Sequence, residues 1–391
     1  MPGQVKRKEG RRMSGRVVMC SVGDIMLCDS PLYVSVGAGA AYPRIKGQIF
    51  HDCIKEFQSA DFVIGNLESV VYRPKRKSLS ELQMSSSEEM MQEVSRAGFN
   101  VLNIANNHCL QHGTAGFLNT KSVCEKLGMQ CTGLKNEEPY QKEVNGIRFA
   151  FLSVCLYTEF YHPEDIRYED SIVKVIRKVQ KLKNEDKDQV VVLSVHWGDE
   201  FATYPSNTQI ELAHLFADNG VDILLGHHSH TYQGIEKYKD SLILYSQGNF
   251  VSDMLPGMCR ETCIARITVQ IENGVREVSY DTIPYYINDD FIPERSEENW
   301  FENRQKELKT AIDEEVPNNT YMKMVNANHK DCHNIFRDRF VSKFFGYKIN
   351  ISVSMLYSFL VRKIRKKLGT WPKRYDLDGA LLLARNESEK K

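Results

Sequence analysis

The chain has 391 residues, of which 42% are hydrophobic and 26% charged. That balance excludes a disordered or collagen-like polymer, and the length suffices for a sizeable core and, at about 150 residues per domain, for two or three domains. Lysine plus arginine and aspartate plus glutamate each total 51, so no basic excess points to nucleic acid and no acidic excess to a solvating tail.

Residues 1–16, MPGQVKRKEGRRMSGR, read as a flexible basic tail. The apolar stretch that follows, Val17–Cys28, is broken by Gly23 and Asp24 and makes a poor secretion-signal core. From residue 17 to about 290, short β-rich runs alternate with helical periodicity, the pattern of an α/β architecture. The runs are Val17–Val22, Phe62–Ile64, Asn100–Ala105, Ile147–Val154, Val190–Val195, Val221–Leu225 and Leu242–Tyr245. Between them the spacing of apolar residues predicts helices over Glu81–Ala97, Thr114–Leu127, Asp170–Leu182 and Asn207–Asn219, the last stopping before Gly220. Cys263–Glu272 and Val275–Ile283 flank Asn273-Gly274, a hairpin signal that makes the sheet content mixed.

Residues 291–391 are rich in Glu, Lys, Arg and Asn with helical spacing, and read as a helical C-terminal extension of the 17–290 domain. Within it, Ser354–Leu368 is amphipathic and basic at its end. The favoured reading is a helix with its apolar face on the core, the other being contact with an anionic membrane surface. No stretch approaches the ~20 apolar residues of a membrane span. The ten cysteines are scattered, none in C-x-x-C spacing, and several lie in apolar runs. They read as reduced thiols of a cytoplasmic protein.

The chemistry concentrates after the apolar runs. Successive runs lead into Gly23-Asp24, Gly65-Asn66-Leu67-Glu68, Asn106-Asn107-His108, His196-Trp197-Gly198-Asp199-Glu200, Gly226-His227-His228-Ser229-His230 and Gln247-Gly248-Asn249-Phe250. In α/β proteins, sites collect at the carboxyl ends of strands. Six such ends here deliver Asp, Glu, Asn and His, the donors for a divalent metal. In an extended chain, residues two apart share a side. His228 and His230 are therefore expected to face one site, with His227 turned away in a supporting role. Trp197 reads as packed beneath the site. The basic loop Arg73–Lys77 reads as solvated, and His329 and His333 as surface residues.

Taken in order, GD at 23–24, NLE at 66–68, ANNH at 105–108, HWGDE at 196–200, GHHSH at 226–230 and YSQGNF at 245–250 resemble the capsule-synthesis CapA family. That family, also called the poly-γ-glutamate capsule protein family, is similar to calcineurin-like metallophosphatases. The resemblance runs from residue 17 to about 285. It implies a metallophosphatase-like α-β-β-α sandwich of two mixed sheets flanked by helices, with two divalent cations (zinc, manganese or iron) at strand ends. By position, Asp24 resembles the first carboxylate ligand and Glu68 a bridging one. Asn107 resembles the amide ligand, and His196, His228 and His230 the imidazole ligands. His108, with Asn107, takes the catalytic position beside the leaving group. Asn66, Asn106, His227, Glu200 and Asn249 resemble pocket residues that support these.

Two positions depart from the pattern. Metallophosphatases carry D-x-H at the first strand, whereas Asp24 is followed by Ile25 and Met26, and Gln111 replaces an acidic residue three after His108. The resemblance implies a metal-dependent, phosphoesterase-like hydrolase acting on a small or polymeric anionic substrate in cell-surface polymer synthesis. Amide or acyl hydrolysis at the same centre, or a non-catalytic accessory subunit of a synthesis complex, are the alternatives.

Overall fold

The computed structural model describes residues 14–29, 36–75, 78–157, 167–254, 256–272, 274–344, 346, 349–369 and 375–388. Strand Gly15–Ile25 shows how the sandwich is specified. Its side chains alternate, and both faces are apolar. Val17 and Met19 point to one core while Cys20 and Val22 point to another. Val190–His196 repeats the pattern, with Val190 and Val192 on one side and Val191, Leu193 and Val195 on the other. A strand apolar on both faces needs a layer on each side.

Two mixed sheets result. The first runs in the order Pro293–Arg295, Val275–Ile287, Glu261–Glu272, Gly15–Ile25, Phe62–Leu67, Val101–Asn103, Gln130–Thr132, with Asn249–Val251 also on Gly15–Ile25. The second runs Tyr232–Tyr238, Ser241–Gln247, Ile223–His227, Val190–His196, Ile147–Cys155, Tyr140–Val144. Between the sheets lies a core that includes Val17, Phe62, Phe149, Phe151, Ile223 and Leu244. Helices Glu88–Ala97 and Gly113–Lys126 cover the outer face of the first sheet through Met91, Val94, Phe117 and Cys124. Helices Ile172–Glu185 and Asn207–Asp218 cover the second through Val175, Val179, Leu212 and Phe216. This is the α-β-β-α layering expected from the resemblance.

The expected hairpin is present: Glu272 pairs with Val275, and Gly274 turns the chain at φ +82°. Gly220, at φ +107°, follows the helix that ends at Asp218. One helix differs. Glu81–Ala97 is not continuous, because Leu79–Leu82 ends, Ser85–Ser86 pairs with Val70–Val71, and Glu88–Ala97 begins afresh. Ser87 caps the new start by accepting from the Met90 N–H at 3.2 Å.

Among the described residues after 295 come four helices, Glu298–Asp313, Asn318–Phe344, Ile349–Lys367 and Leu377–Ser388. They join the existing cores, through Phe301 and Leu308, Cys332 and Phe336, Ile351 and Met355, and Leu381 and Ala384 respectively. All ten cysteines are buried and none forms a disulfide. Of the basic loop, Arg73 and Lys75 are exposed, and residues 76 and 77 lie outside the described residues, as do residues 1–13 of the basic tail.

Candidate metal centre

Ligand-type side chains converge where strands of the two sheets end side by side. Asp24 leaves the first sheet at a break in register, which sits between Ser21 and Asp24 on one neighbour and between Asp24 and Ile25 on the other. Such an irregularity re-aims a side chain at a strand end. Gly23 permits it: a Cβ there would stand 2.1 Å from the Gly248 carbonyl oxygen. Gly226 plays the same part in the second sheet, where a Cβ would stand 1.9 Å from the Tyr245 carbonyl oxygen.

Asp24, Glu68, His196, His228 and His230 form two overlapping groups of donors. Asp24, Glu68 and His230 make one, and Glu68, His196 and His228 the other, with all donor atoms of a group within 4.8 Å of one another. Glu68 is common to both. His230 Nδ1 lies 3.3 Å from Asp24 Oδ2 and 4.0 Å from Glu68 Oε2. His196 Nε2 lies 3.7 Å from Glu68 Oε1, 3.0 Å from His228 Nδ1 and 2.9 Å from Asn107 Oδ1. No one of these five donors is more than 2% exposed.

An asparagine ladder orients them. Asn66 Nδ2 donates to Asp24 Oδ1 at 2.8 Å, while Asn103 and Asn106 donate to Asn66 Oδ1 at 2.9 and 3.2 Å. Asn249 Oδ1 lies 2.9 Å from His230 Nδ1, and its Nδ2 donates to the Cys259 carbonyl at 2.9 Å. Such outer partners fix ring orientation and tautomer at metal sites. Asn103 was not singled out from the sequence.

The histidine segment is not extended as expected. The strand stops at His227, and His228 and His230 have φ of +93° and +58°, a conformation non-glycine residues rarely adopt. The Asp24 carboxylate helps hold it, accepting from the His228 N–H at 3.3 Å. The two-residue alternation therefore fails, and His227 is not turned away. Its Nδ1 lies 3.2 Å from Asp24 Oδ1, without the alignment of a hydrogen bond. Trp197 is buried beneath the site and donates to the Tyr245 carbonyl at 3.0 Å.

The charges are unusual for so dry a place. Burial raises the cost of ionising Asp24, yet the imidazoles of His227 and His230 hold its carboxyl well below the usual range. Burial, with the charge of Asp24 added, pushes Glu68 well above its usual range. His196 is driven well below the ordinary imidazole value by burial and by His228, and burial lowers His228 to about 3. Burial opposes a charge on His230 too, but Glu68 and Asp24 raise it to about 10.

Both Glu68 oxygens and His228 Nε2 lack a hydrogen-bond partner among the described residues. Buried polar atoms are normally paired, so orphaned acceptors facing one another call for a cation. With oxygen and imidazole donors, the set fits borderline to hard divalent metals. Met26 adds nothing to it. Its sulfur packs with Cys28 and Met84 and accepts from Ser252 Oγ at 3.5 Å.

At the mouth, half-buried His108 has Nδ1 3.2 Å from Gln111 Oε1. The Tyr157 ring lies 4.2 Å from that of His228. Burial works against ionised Glu200, but His228, His230, His329 and His108 together hold it below the ordinary glutamate range. His329 comes from the C-terminal helix Asn318–Phe344 and meets the Phe201 ring edge-on at 5.0 Å. That helix grips the loop after His196: Tyr321 OH donates to Asp199 Oδ2 at 2.9 Å, and Asn328 Nδ2 to the Phe201 carbonyl at 2.8 Å. His329 and His333 are exposed, as expected of surface residues, yet His329 reaches Phe201, and Tyr157 carried no local signal of a site.

The family model described as bacterial capsule synthesis protein PGA_cap matches residues 18–254, a segment that holds every donor named above and ends before the C-terminal helices. The capsule biosynthesis protein CapA of Bacillus anthracis is 31% identical over 265 residues, 64% of this chain and 62% of that protein. The PGA biosynthesis protein CapA of Bacillus subtilis is 30% identical over 266 residues, 64% of this chain and 67% of that protein. This chain thus spans under two thirds of the first relative's length. A probable polyglutamine synthesis accessory protein of Mycobacterium tuberculosis is 26% identical over 168 residues, 38% of this chain and 44% of that protein.

Proposed function

This chain belongs to the bacterial capsule synthesis protein PGA_cap family, and on that premise we propose that it is a metal-dependent, phosphoesterase-like hydrolase in capsule or poly-γ-glutamate synthesis. One observation carries the reading: Glu68, buried with both oxygens unpartnered, is shared by two donor groups. Asp24, Glu68 and His230 would hold one cation, and Glu68, His196, His228 and the Asn107 amide a second. Bound there, divalent cations supply Lewis-acid activation of water and neutralisation of substrate oxygens.

The chain's own residues do the rest. Gln111 Oε1 accepts from His108 Nδ1–H, which leaves Nε2 to carry a second proton to a leaving oxygen at the mouth. The asparagine ladder keeps Asp24 in place without adding charge. Tyr157 and Phe201 flank the histidines and keep bulk water from them. His108 and His329 bring imidazole hydrogen-bonding groups near Glu200, suited to the oxygens of an anionic substrate. The ten buried thiols suit a reducing compartment, and we place the protein in the cytoplasm.

Bound metal, measured by elemental analysis on the parent and on His228→Ala/His230→Ala, tests this. Two equivalents in the parent, lost in the variant, together with turnover of phosphoesters that His108→Ala abolishes, are expected. A fully loaded protein that cleaves neither phosphoesters nor γ-glutamyl amides would refute the hydrolase reading. A second reading, a metal-binding accessory subunit of a polymer-synthesis complex, is favoured by Met26, which packs away from the donors. It predicts that His108→Ala restores polymer in a deletion strain and that synthesis proteins co-purify with the chain.

A further inference from the structure

Helix Ile349–Lys367 contradicts the expectation that its apolar face lies on the core. Ile351 and Met355 do face the core, and both are buried. On the opposite side, Val353, Leu356, Tyr357, Leu360 and Ile364 are 45–68% exposed, and Leu368 just beyond is 70% exposed. Their spacing of three, four, seven and eleven residues from Val353 places them on one stripe, about 100° wide at 100° per residue. Scattered exposed apolar residues are ordinary, but a continuous stripe along a docked helix marks a contact surface.

The charge says what it contacts. Ile349–Leu368 contains five basic residues, Arg362, Lys363, Arg365, Lys366 and Lys367, and no acidic one. Lys363, Arg365 and Lys367 are exposed, close to the end of the stripe. A second copy pairing stripe to stripe would bury the apolar residues, but no acid on either helix would meet these cations. Anionic headgroups would meet them, while the apolar side chains enter the acyl boundary. No helix among the described residues is long and apolar enough to cross a membrane, so this one would lie in the interface rather than span it.

We propose that the exposed Val353–Leu368 stripe, with its basic end, seats the protein on an anionic lipid surface. The proposal uses none of the metal donors, so it stands whether or not the centre is catalytic.

Vesicle flotation of the full chain tests it, with phosphatidylcholine alone and with phosphatidylglycerol at about one part in three. The parent is expected to float with the anionic vesicles only, and to be released by high salt. Leu360→Glu/Ile364→Glu, which removes two inserted side chains, should weaken binding about a hundredfold or more. Lys363→Gln/Lys367→Gln should weaken it at least about tenfold. Both variants should keep the parent's melting temperature and metal content, since the altered side chains are exposed. A parent that ignores anionic vesicles, or a Glu variant that binds them as well as the parent, overturns the proposal. If the Glu variant turns a dimer into a monomer while the parent ignores vesicles, the stripe belongs to a second copy and the proposal fails.

Discussion

Loading the centre with metal should expel protons, and the number follows from the groups that line it. Asp24 is held ionised in the free protein, and His196 and His228 are already neutral at pH 7. His230, raised to about 10, carries a proton there, and burial with the charge of Asp24 pushes Glu68 toward its protonated form. Metal binding needs both donors bare. Displacing a proton held at about 10 costs about 4 kcal/mol at pH 7 for His230 alone. Each displaced proton makes apparent affinity rise about tenfold per pH unit.

Titration calorimetry with manganese, in buffers of different ionisation enthalpy, counts the protons. The parent should release at least one per chain near pH 7, and His230→Ala fewer than the parent. Stability of the metal-free protein has the opposite sign. His230 binds its proton more tightly when folded, so its contribution is complete below the unfolded value of 6.5 and is lost as pH rises toward about 10. Metal-free protein should therefore weaken on alkalinisation while metal affinity climbs. No proton released, or an affinity flat between neutral and alkaline pH, would refute the electrostatic account of the site.

Gly226→Ala should destabilise by about 3 kcal/mol, because its Cβ would strike the Tyr245 carbonyl. Gly257→Ala, with open space around it, should stay within about 0.5 kcal/mol, and urea unfolding compares the two. Gln111→Glu places a carboxylate against His108 Nδ1 and should move the acid-dependent limb of the pH–rate profile up by about one unit. An unmoved limb would remove His108 from proton transfer. His329→Ala, at the exposed mouth, should raise KM for an anionic ester about two- to fivefold with kcat little changed.

What the sequence made legible, and what it hid, has a physical pattern. Val190–His196 reads plainly as a strand because burial on both faces demands an unbroken apolar run. Tyr140–Val144 does not, because it is a half-exposed edge strand spelled YQKEV. Gln130–Thr132 is too short to show a period. The break in Glu81–Ala97 was written in Ser85, Ser86 and Ser87, a run better suited to caps and turns than to a helix interior, but the apolar spacing continues across it. In the site, donors at strand ends announce themselves, since a rigid sheet dictates where they stand. His227 was misplaced because left-handed φ at His228 and His230 comes from tertiary contacts and not from local preference. His329 lies 128 residues beyond Phe201, and packing and hydrogen bonds of its helix against that loop bring it there.

The position of the centre couples metal to fold. Asp24 and Glu68 leave strands of the first sheet, and His196, His228 and His230 leave strands of the second. Below them the two sheets are joined by an apolar core. At the level of the donors that core gives way to charge: two carboxylates and three imidazoles, with Glu68 unpaired. Without metal, His230 is held protonated and Glu68 is pushed toward its protonated form, while both Glu68 oxygens stay buried without hydrogen-bond partners. Cations held by one sheet's carboxylates and the other's imidazoles would bridge the layers where apolar packing stops. Metal that binds only the folded arrangement raises stability by mass action, about 2.7 kcal/mol at a hundredfold excess over its dissociation constant. That gain should fall most heavily on the loops that carry His196 and His228, and hydrogen exchange in Trp197–Ala202 and Ser229–Thr231 should slow on loading. The distant hairpin at Glu272–Val275, which touches no donor, should exchange at an unchanged rate. Equal slowing at both places would mean that metal stabilises the whole fold without bridging the sheets.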